Sequence, residues 1–357
     1  MATTDYPVNH PLAQKLWSKE LFHDVIGESF FGKFTGTSDT SLVQIKSETQ
    51  KQAGDRIRVG LRGLLTGAGV QGDSTLEGNE EALTTYYDDV MIDQLRHGVR
   101  SDGKMSEQRV PFSVREEAKL GLKDWWTERF EVSLANQLTG NTGEADTRYT
   151  GNQATTAPTT GRVLYGGSQG TEASLSATTT NAITLADLDR AVALAKTSVS
   201  GGRQRIRPVN VNGKPMYVAF LHPDQIYQMR IATSTGGVWD FLRSQIEGGR
   251  ISDNPLLTGA SFIYNQCIVH EWSYLPTAAS AATPANFRRG VLCGAQAACL
   301  AYGMNGGTTK MSWNEEIFDY GNQLGVEAGS IFGVKKTVFN SVDFGTIVLS
   351  GYAPAQA

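Results

Sequence analysis

The feature that most limits what this chain can fold into is a pair of strand-like runs joined by a long connection. The run DRIRVGLR at 55–62 alternates charged or small residues with aliphatic ones, as a half-buried strand does. A second run, LTTYYDDVMIDQL at 83–95, also predicts a strand. The connection at 63–82 is glycine-rich, acidic and too long for a tight hairpin turn.

Two strands with such a tip form a ribbon, and an isolated two-stranded ribbon is at best marginally stable in water. Its aliphatic face must therefore be covered by the rest of the chain or by a neighbouring subunit. Its basic face carries three arginines: Arg56, Arg58 and Arg62.

The composition excludes fibrous and disulfide-stabilised classes of protein. The chain has 357 residues, 40% of them hydrophobic and 19% charged, which is enough to bury a sizeable core without a metal or a disulfide. Its three cysteines, Cys267, Cys293 and Cys299, do not form a secreted framework and predict reduced thiols. The net charge is −4, so any contact with DNA must be local rather than a bulk electrostatic one.

No segment predicts export or membrane insertion. The N-terminal MATTDYPVNHPLAQKLW has no basic stretch followed by the apolar run of a signal peptide, and no stretch approaches the ~18 apolar residues of a membrane helix. We therefore expect a soluble intracellular product.

One long helix dominates the middle of the sequence. It begins at the capping-box pattern Ser113-Val-Arg-Glu116 and runs to Leu138 with apolar residues at three- and four-residue spacing, and Gly140 is placed to end it. At 1.5 Å per residue this helix would be about 38 Å long.

The sequence around this helix predicts an α+β chain. Two short helices are expected before the ribbon, at 12–21 and 22–31. The segment 139–181 is small and polar, so it cannot form a core and is expected to be a surface insertion or an extended loop. The expected elements after it are a helix from Thr184 to 201–202, a strand at 216–221, helices at 222–229 and 238–246, strand and helix signals at 261–271 and 290–300, and a strand-rich tail at 308–357.

Two glycine motifs are typical of enzymes but stand in unsuitable contexts. GAGVQG at 67–72 matches a dinucleotide-binding pattern, yet the acidic DSTLEGNEE follows it instead of the apolar helix that would hold a pyrophosphate. GGSQG at 166–170 matches the nucleophile elbow of hydrolases, yet TEASLSATTT is a poor continuation as a helix. We therefore expect a ribbon tip and a loop, with no cofactor.

The candidate metal ligands are equally weak. Cys267 and His270 have zinc-like spacing, and Cys293 with Cys299 could complete four ligands. The Cys-x-x-His pattern falls in strand-like sequence, so buried thiols are the expected outcome. The five histidines also form no acid–base pair at a recognisable spacing, so no catalytic residue is expected.

A short basic run, RQRIRP, follows two glycines and carries Arg203, Arg205 and Arg207. A patch of this kind can face the phosphates of DNA. A solvated turn or an intersubunit salt bridge is the more ordinary interpretation.

The order of the elements resembles the Hong Kong 97-like capsid fold of tailed bacteriophages, with its N-terminal arm, extended hairpin loop, spine helix, axial α/β domain and peripheral domain. AFLHPDQIYQMR and STGGVWDFLRS look like parts of axial domains in such proteins. GDRIRVGLRGLLTGAGVQGDSTLEGNEEAL, VMIDQLRHGVRSDGKMSEQR and KKTVFNSVDFGTIVLSGYA resemble the major capsid protein family typified by phage N-four. The likeness runs from about Phe34 to the C-terminus and leaves out 139–181.

The resemblance implies an α+β chain in five parts. These are an N-terminal arm at 1–53, an extended hairpin loop at 54–104, a peripheral domain with the spine helix at 105–140 and 304–357, a Gly/Thr-rich insertion at 141–180, and an axial domain at 181–303.

The resemblance also implies a function without catalysis. The chain would be a major capsid protein that assembles in the host cytoplasm, as hexamers and pentamers, into the icosahedral head of a virion around double-stranded DNA. A portal, a separate scaffolding protein and a decoration protein are the further partners that it implies. Ribbon arginines and tip acids would pair between copies, each exposed pair contributing about 0–1 kcal/mol; the candidates are Arg56, Arg58, Arg62, Asp73, Glu77, Glu80 and Glu81.

Two departures from the fold's best-known member carry expectations. No lysine occurs between Lys51 and Lys104, so the ribbon lacks the nucleophile for a lysine-to-asparagine crosslink and the shell should be non-covalent. The N-terminal segment is too short for a fused scaffolding domain, so a separate scaffold is expected.

Three alternatives remain open at this point. An encapsulin-like compartment has the same fold and would differ in its genome neighbours. A dinucleotide-dependent enzyme rests on GAGVQG alone. A self-assembling surface-layer or adhesin protein is disfavoured because no export signal is present.

Overall fold

Two mixed sheets share one long helix in this α+β chain. The computed structural model describes residues 25, 29–46, 54–63, 65, 67–111, 113–197, 204–211, 213–231, 262–279, 281, 283–304 and 310–355. The helices expected at 12–21 and 238–246, and most of the one at 22–31, lie outside the described residues.

The α-helices bounded within the described part of the chain are α1 (Lys104–Arg109), α2 (Val114–Thr139), α3 (Leu185–Lys196) and α4 (Pro223–Ile231). The strands are β1 (Thr35–Gly36), β2 (Val43–Lys46), β3 (Arg56–Arg62), β4 (Thr85–Met91), β5 (Asp93–Arg100), β6 (Val163–Tyr165), β7 (Val209–Val211), β8 (Lys214–Leu221), β9 (Phe262–Tyr264), β10 (Cys267–Glu271), β11 (Phe287–Cys293), β12 (Ala298–Tyr302), β13 (Met311–Phe318), β14 (Gln323–Lys336), β15 (Val338–Phe339), β16 (Val342–Asp343) and β17 (Thr346–Tyr352).

The spine helix α2 confirms the expected helix almost to the residue. Gly140 follows it in the left-handed region, at φ 61°, and donates its backbone N–H to the carbonyls of Asn136 and Gln137. A Cβ at Gly140 would lie 2.6 Å from the Thr156 carbonyl oxygen, so glycine also suits the crowding there. The predicted capping box is only partly present. Ser113 is the N-cap residue, but its side chain makes no capping hydrogen bond.

The first sheet is built around the 14-residue strand β14. Its order is β1-β2-β12-β14-β13, and β5 also pairs with β14. Phe332 of β14 pairs with Tyr302 of β12 and with Asp93 of β5, so β12 and β5 flank β14 on opposite edges. We call this the six-stranded sheet.

The second, seven-stranded sheet has the order β6-β17-β11-β8-β10-β9, with β7 paired to β8. Helices α3 and α4 cover one face through apolar side chains such as Leu188 and Ile226. The other face meets α2 in a single core cluster that also includes the six-stranded sheet; its α2 members include Leu122, Trp126, Phe130, Leu134 and Leu138. The spine helix therefore joins the two sheets.

Two strands lie in a different sheet from the one that the expected domain ranges imply. The C-terminal strand β17, expected with 304–357 in the peripheral domain, pairs with β11 and β6 in the seven-stranded sheet. Strand β12, expected within 181–303, pairs with β14 and β2 in the six-stranded sheet. Burial accounts for the position of β17. Six of the seven residues of this strand, TIVLSGY, are buried, which suits a central strand.

Elsewhere the expected elements shift in length or kind. The predicted run at 83–95 is divided at Ile92 into β4, in the ribbon, and β5, in the six-stranded sheet. The helix from Thr184 ends at Lys196 rather than at 201–202. The mixed signals at 290–300 form the ends of two strands, β11 and β12.

The segment 139–181 is an extended loop with short 3-10 turns and one short strand, and more than half of its residues are exposed, although several are buried against the body. Gln153 is buried and donates its side-chain amide to the Val334 carbonyl at 2.6 Å. Glu172 accepts two hydrogen bonds from the guanidinium of Arg289, at 2.8 and 2.6 Å, and both side chains are buried. Polar contacts thus anchor parts of the loop in the interior, which its low content of apolar residues could not reveal.

Candidate assembly surface

The ribbon of β3 and β4 is attached to the body at one end and exposed at the other. Ile57 and Val90, which face each other across the ribbon, are buried against Cys299 and Ala301 of β12. Beyond this contact the tip presents large apolar side chains to solvent; Leu65, Leu76 and Leu83 are 63%, 59% and 57% exposed. The body therefore covers only the first part of the apolar face.

One of the three ribbon arginines is bound within the ribbon itself. Arg58 donates from Nε and Nη2 to the carboxylate of Asp89, at 2.7 and 2.9 Å, and its guanidinium lies 4.4 Å from the Tyr87 ring centroid. The hydrogen bond from Arg58 lowers the pKa of Asp89 below its ordinary value. Arg56 lies 3.9 Å from the Asp55 carboxylate, and Arg62 is exposed.

The four tip acids divide into two pairs. Glu81 accepts the backbone N–H of Gly67 at 2.6 Å, and Glu80 accepts that of Gly78 at 2.7 Å, so both help to fold the tip. Asp73 and Glu77 are exposed.

The glycine motif GAGVQG is part of this tip. Gly69 and Gly72 have φ values of 73° and 67°, and a Cβ on either would enter open space. Turns and irregular backbone follow the motif, where a dinucleotide site requires a helix N-terminus.

The candidate nucleophile Ser168 lies in a short 3-10 turn, Gly166–Ser168, followed by another at Glu172–Ser174 rather than by an α-helix. Its hydroxyl accepts a hydrogen bond from Arg190 at 3.1 Å. Arginine does not accept the proton of a serine hydroxyl, so this arrangement does not activate the serine.

The four candidate zinc ligands are not brought together. Cys267 lies in the core under α3 and α4, whereas His270 lies on the opposite face of the sheet, 5.2 Å from the Phe34 ring. Cys293 belongs to the cluster around the spine helix, and Cys299 packs at the base of the ribbon. Burial raises the pKa of the Cys267 thiol to about 12, so this cysteine is held as a neutral thiol. Among the described residues no group of three or more His, Cys, Asp or Glu side chains could hold a metal ion.

The basic run after α3 is partly tied to the body. Arg203 lies outside the described residues. Arg207 donates to the Asp39 carbonyl at 3.1 Å and to the side chain of Gln296, which makes this contact intramolecular. Arg205 is exposed.

Glu131, which was not among the residues expected from the sequence, is a buried carboxylate that holds the described part of the N-terminal arm. Glu131 of α2 accepts a hydrogen bond from Ser29 Oγ at 2.8 Å and one from the indole Nε1 of Trp272 at 2.6 Å. Next to it, Phe31 packs 4.3 Å from the Trp272 ring. The sequence signals this buried carboxylate only by the position of Glu131 within the largely apolar run WWTERFEVSL.

In the described part of the chain, none of the helices is both long and apolar enough to span a bilayer.

Comparison with known proteins gives a consistent result. A family model described as phage capsid protein matches residues 5–355. The major capsid protein of Pseudomonas phage KPP25 is 26% identical over 365 residues, covering 93% of each chain.

Solved structures agree. The capsid of Ralstonia phage GP4 is 31% identical with a TM-score of 0.80, over 100% of both chains. The capsid asymmetric unit of cyanophage Pam1, at 22% identity, shares the fold with a TM-score of 0.71 over 100% of this chain and 95% of that one. Since the family model spans nearly the whole sequence, this chain belongs to the phage capsid protein family.

Proposed function

We propose that this chain is the repeating subunit of a Hong Kong 97-like icosahedral head, in which many copies form a closed shell around double-stranded DNA. That it serves as a phage major capsid protein, a structural component of the virion, follows from the family and from its relatives. The Hong Kong 97-like type, the hexamers and pentamers, and assembly in the host cytoplasm belong to the proposal.

The observation that carries the proposal is the half-covered ribbon. Its base is buried on β12, while its tip exposes three leucines and four acids. A tip of this kind gains stability when a second copy buries it, because each leucine transferred out of water contributes about 1.5–3 kcal/mol when fully buried. Repetition of the contact in every subunit is what a closed shell supplies.

Of the seven residues that the sequence offered for contacts between copies, we retain four. Arg56 and Arg62 on the ribbon and Asp73 and Glu77 at the tip are placed to meet a neighbour. Arg58, Glu80 and Glu81 act within their own ribbon. We therefore assign the latter three to the shape of the ribbon.

The remaining partners are proposed on the resemblance. Arg205 is the described member of the basic run that is placed to touch packaged DNA, through non-specific phosphate contact. A portal, a separate scaffolding protein and a decoration protein complete the proposed head.

An encapsulin-like compartment is not favoured over the head, because the matching family and the curated relative are phage proteins. Portal and terminase genes beside this one would agree with the head, and a cargo enzyme gene would favour the compartment.

Negative-stain electron microscopy of the purified full-length chain, alone and with its candidate scaffold, tests the proposal. We expect closed angular shells or capsomer-like rings. A dispersed monomer under all conditions that also fails to enter shells with the scaffold would contradict it.

A further inference from the structure

The ribbon is held to the body at its root by several contacts, three of which bear on its angle. We define the ribbon root as residues 55–58 and 88–92. The first contact is one of backbone against backbone: a Cβ added at Gly333 of β14 would lie 1.8 Å from the Met91 carbonyl oxygen. This approach is too close for any residue other than glycine.

The second contact is apolar. Ile57 and Val90 are 3% and 1% exposed, and they pack on Cys299 and Ala301. A contact of this kind holds the root down but is non-directional. It therefore does not by itself fix how the ribbon is tilted.

The third contact is polar and directional. Lys335 of β14 donates to the carboxylate of Asp88 and to the Asp89 carbonyl, the latter at 2.9 Å. The second oxygen of Asp88 accepts the backbone N–H of Val338 at 3.0 Å. One aspartate of the ribbon is thus bound to both β14 and the β15–β16 hairpin.

The position of this pair gives it control over the tilt. Asp88 lies two residues beyond Val90 toward the tip, so the Lys335 contact is displaced from the apolar one along the ribbon. The side chains of Lys335 and Asp88 are only 20% and 11% exposed, which strengthens their interaction relative to a pair in open solvent. Of the three contacts, the one made by Lys335 lies farthest toward the tip, so it restricts the tilt that the other two leave open.

We propose that Lys335 is a positioning residue that, through Asp88, sets the angle at which the ribbon leaves the body and thereby the curvature of the shell. The inference rests on the proposed function, since the angle of the ribbon affects the radius of a shell only when many copies assemble. Copies that contact each other through unlike surfaces form a closed ring or shell only for particular rotations between neighbours. Here that rotation depends on the angle of the ribbon.

The test compares four full-length chains: wild type, Lys335→Met, Lys335→Arg and Arg148→Met. Methionine keeps the length of the side chain without its charge, and arginine restores a donor to Asp88. Arg148 forms an exposed ion pair with Asp146 and serves as the matched control away from the ribbon.

The first readout is the angle of the ribbon. Spin labels at Asn79→Cys in the tip and Tyr320→Cys in the body report one distance distribution, because the three native cysteines are buried. Labelled chain is diluted into unlabelled chain of the same variant so that the distance measured lies within one subunit. We expect a single narrow distribution in wild type, Lys335→Arg and Arg148→Met, and a broadened or shifted one in Lys335→Met.

The second readout is the diameter of assembled shells in electron micrographs, with thermal unfolding of each variant as the check on folding. We expect Lys335→Met to fold, with a lower unfolding midpoint than wild type, but to yield shells of several sizes or open sheets, and Lys335→Arg to restore one size. Identical distance distributions and identical shells in wild type and Lys335→Met would overturn the inference.

The design separates this inference from the proposed function. If wild type forms no shells either alone or with its candidate scaffold, the proposed function fails, and the distance distributions alone then decide whether Lys335 fixes the ribbon. If Lys335→Met fails to fold, Asp88→Asn is measured in its place, and an unchanged ribbon angle and shell size in that variant would likewise overturn the inference.

Discussion

Lys336 Nζ lies 2.8 Å from Asp343 Oδ1, and the two side chains are 1% and 0% exposed. The lysine also donates to the Thr156 carbonyl at 3.1 Å, and the aspartate accepts the backbone N–H of Thr159 at 3.0 Å. Burial lowers the pKa of Lys336, and the charge of Asp343 opposes this shift. The pair therefore ties the end of β14 to the extended loop and to β16.

Replacing only one member of this pair should be costly. Asp343→Ala leaves the lysine buried without its counter-charge, and we expect the free energy of unfolding to fall by about 3–5 kcal/mol. Chemical denaturation of the unassembled chain measures it. The double variant Lys336→Met, Asp343→Leu should lose less than the single one, and a loss below about 1 kcal/mol in Asp343→Ala would contradict this view of the pair.

The carboxylate of Glu131 should govern the attachment of the N-terminal arm. Glu131→Ala removes the acceptor of Ser29 and Trp272, and leaving buried donors unpaired costs about 1–3 kcal/mol. We expect faster cleavage of the arm in limited proteolysis together with a lower unfolding midpoint. Glu128→Ala, on an exposed position of the same helix, is the control; equal cleavage rates in both variants would refute the role of Glu131.

Stability should depend on pH through His222, which precedes α4. Burial lowers its pKa, the positive charge of Arg288 adds to this, and Asp224 opposes it. The unfolded chain then binds the proton more readily than the folded one, so this contribution is present above the ordinary value of 6.5 and is lost as pH falls toward the lowered folded pKa.

His222→Asn tests this sign. The imidazole Nδ1 accepts the backbone N–H of Asp224 at 3.2 Å, and asparagine can supply the same acceptor at a helix N-cap without titrating. Unfolding midpoints recorded from pH 7.5 to 5 should fall less steeply in the variant. Parallel curves for the two proteins would show that His222 contributes nothing to the slope.

The shell should be held together without covalent bonds between copies. No lysine occurs between Lys51 and Lys104, which includes the whole ribbon, so a crosslink from the ribbon has no amine to form it. When mature particles are boiled in SDS and separated by gel electrophoresis, this protein should run as a single band at about the mass of one chain. A ladder of resistant multimers would disprove this.

The parts of the fold that follow from short-range periodicity could be predicted from the sequence. The two-residue alternation of β3 and the helical spacing of α2 each reflect one buried face, and both elements appear where they were expected. The capping bond of Ser113 did not form, because a capping sequence permits that bond without requiring it.

Long-range polar pairs could not be predicted. In the run Lys335-Lys336 both residues look like surface lysines, yet alternation along β14 sends one to Asp88 of the ribbon and the other to Asp343 in the core. The buried pair of Glu172 and Arg289 is separated by 117 residues, and Glu172 lies in a loop with few apolar residues. Such contacts depend on where distant strands pair, which local sequence does not encode.

Hydrogen–deuterium exchange of the tip, residues 63–84, before and after assembly tests the central claim most directly. In the unassembled chain these amides should exchange rapidly, because residues 65 and 67–84, the described part of the tip beyond Gly63, are nearly all exposed. Assembly should protect them, as a neighbouring copy buries the leucines and pairs the acids. Unchanged exchange in the tip on assembly would contradict the account.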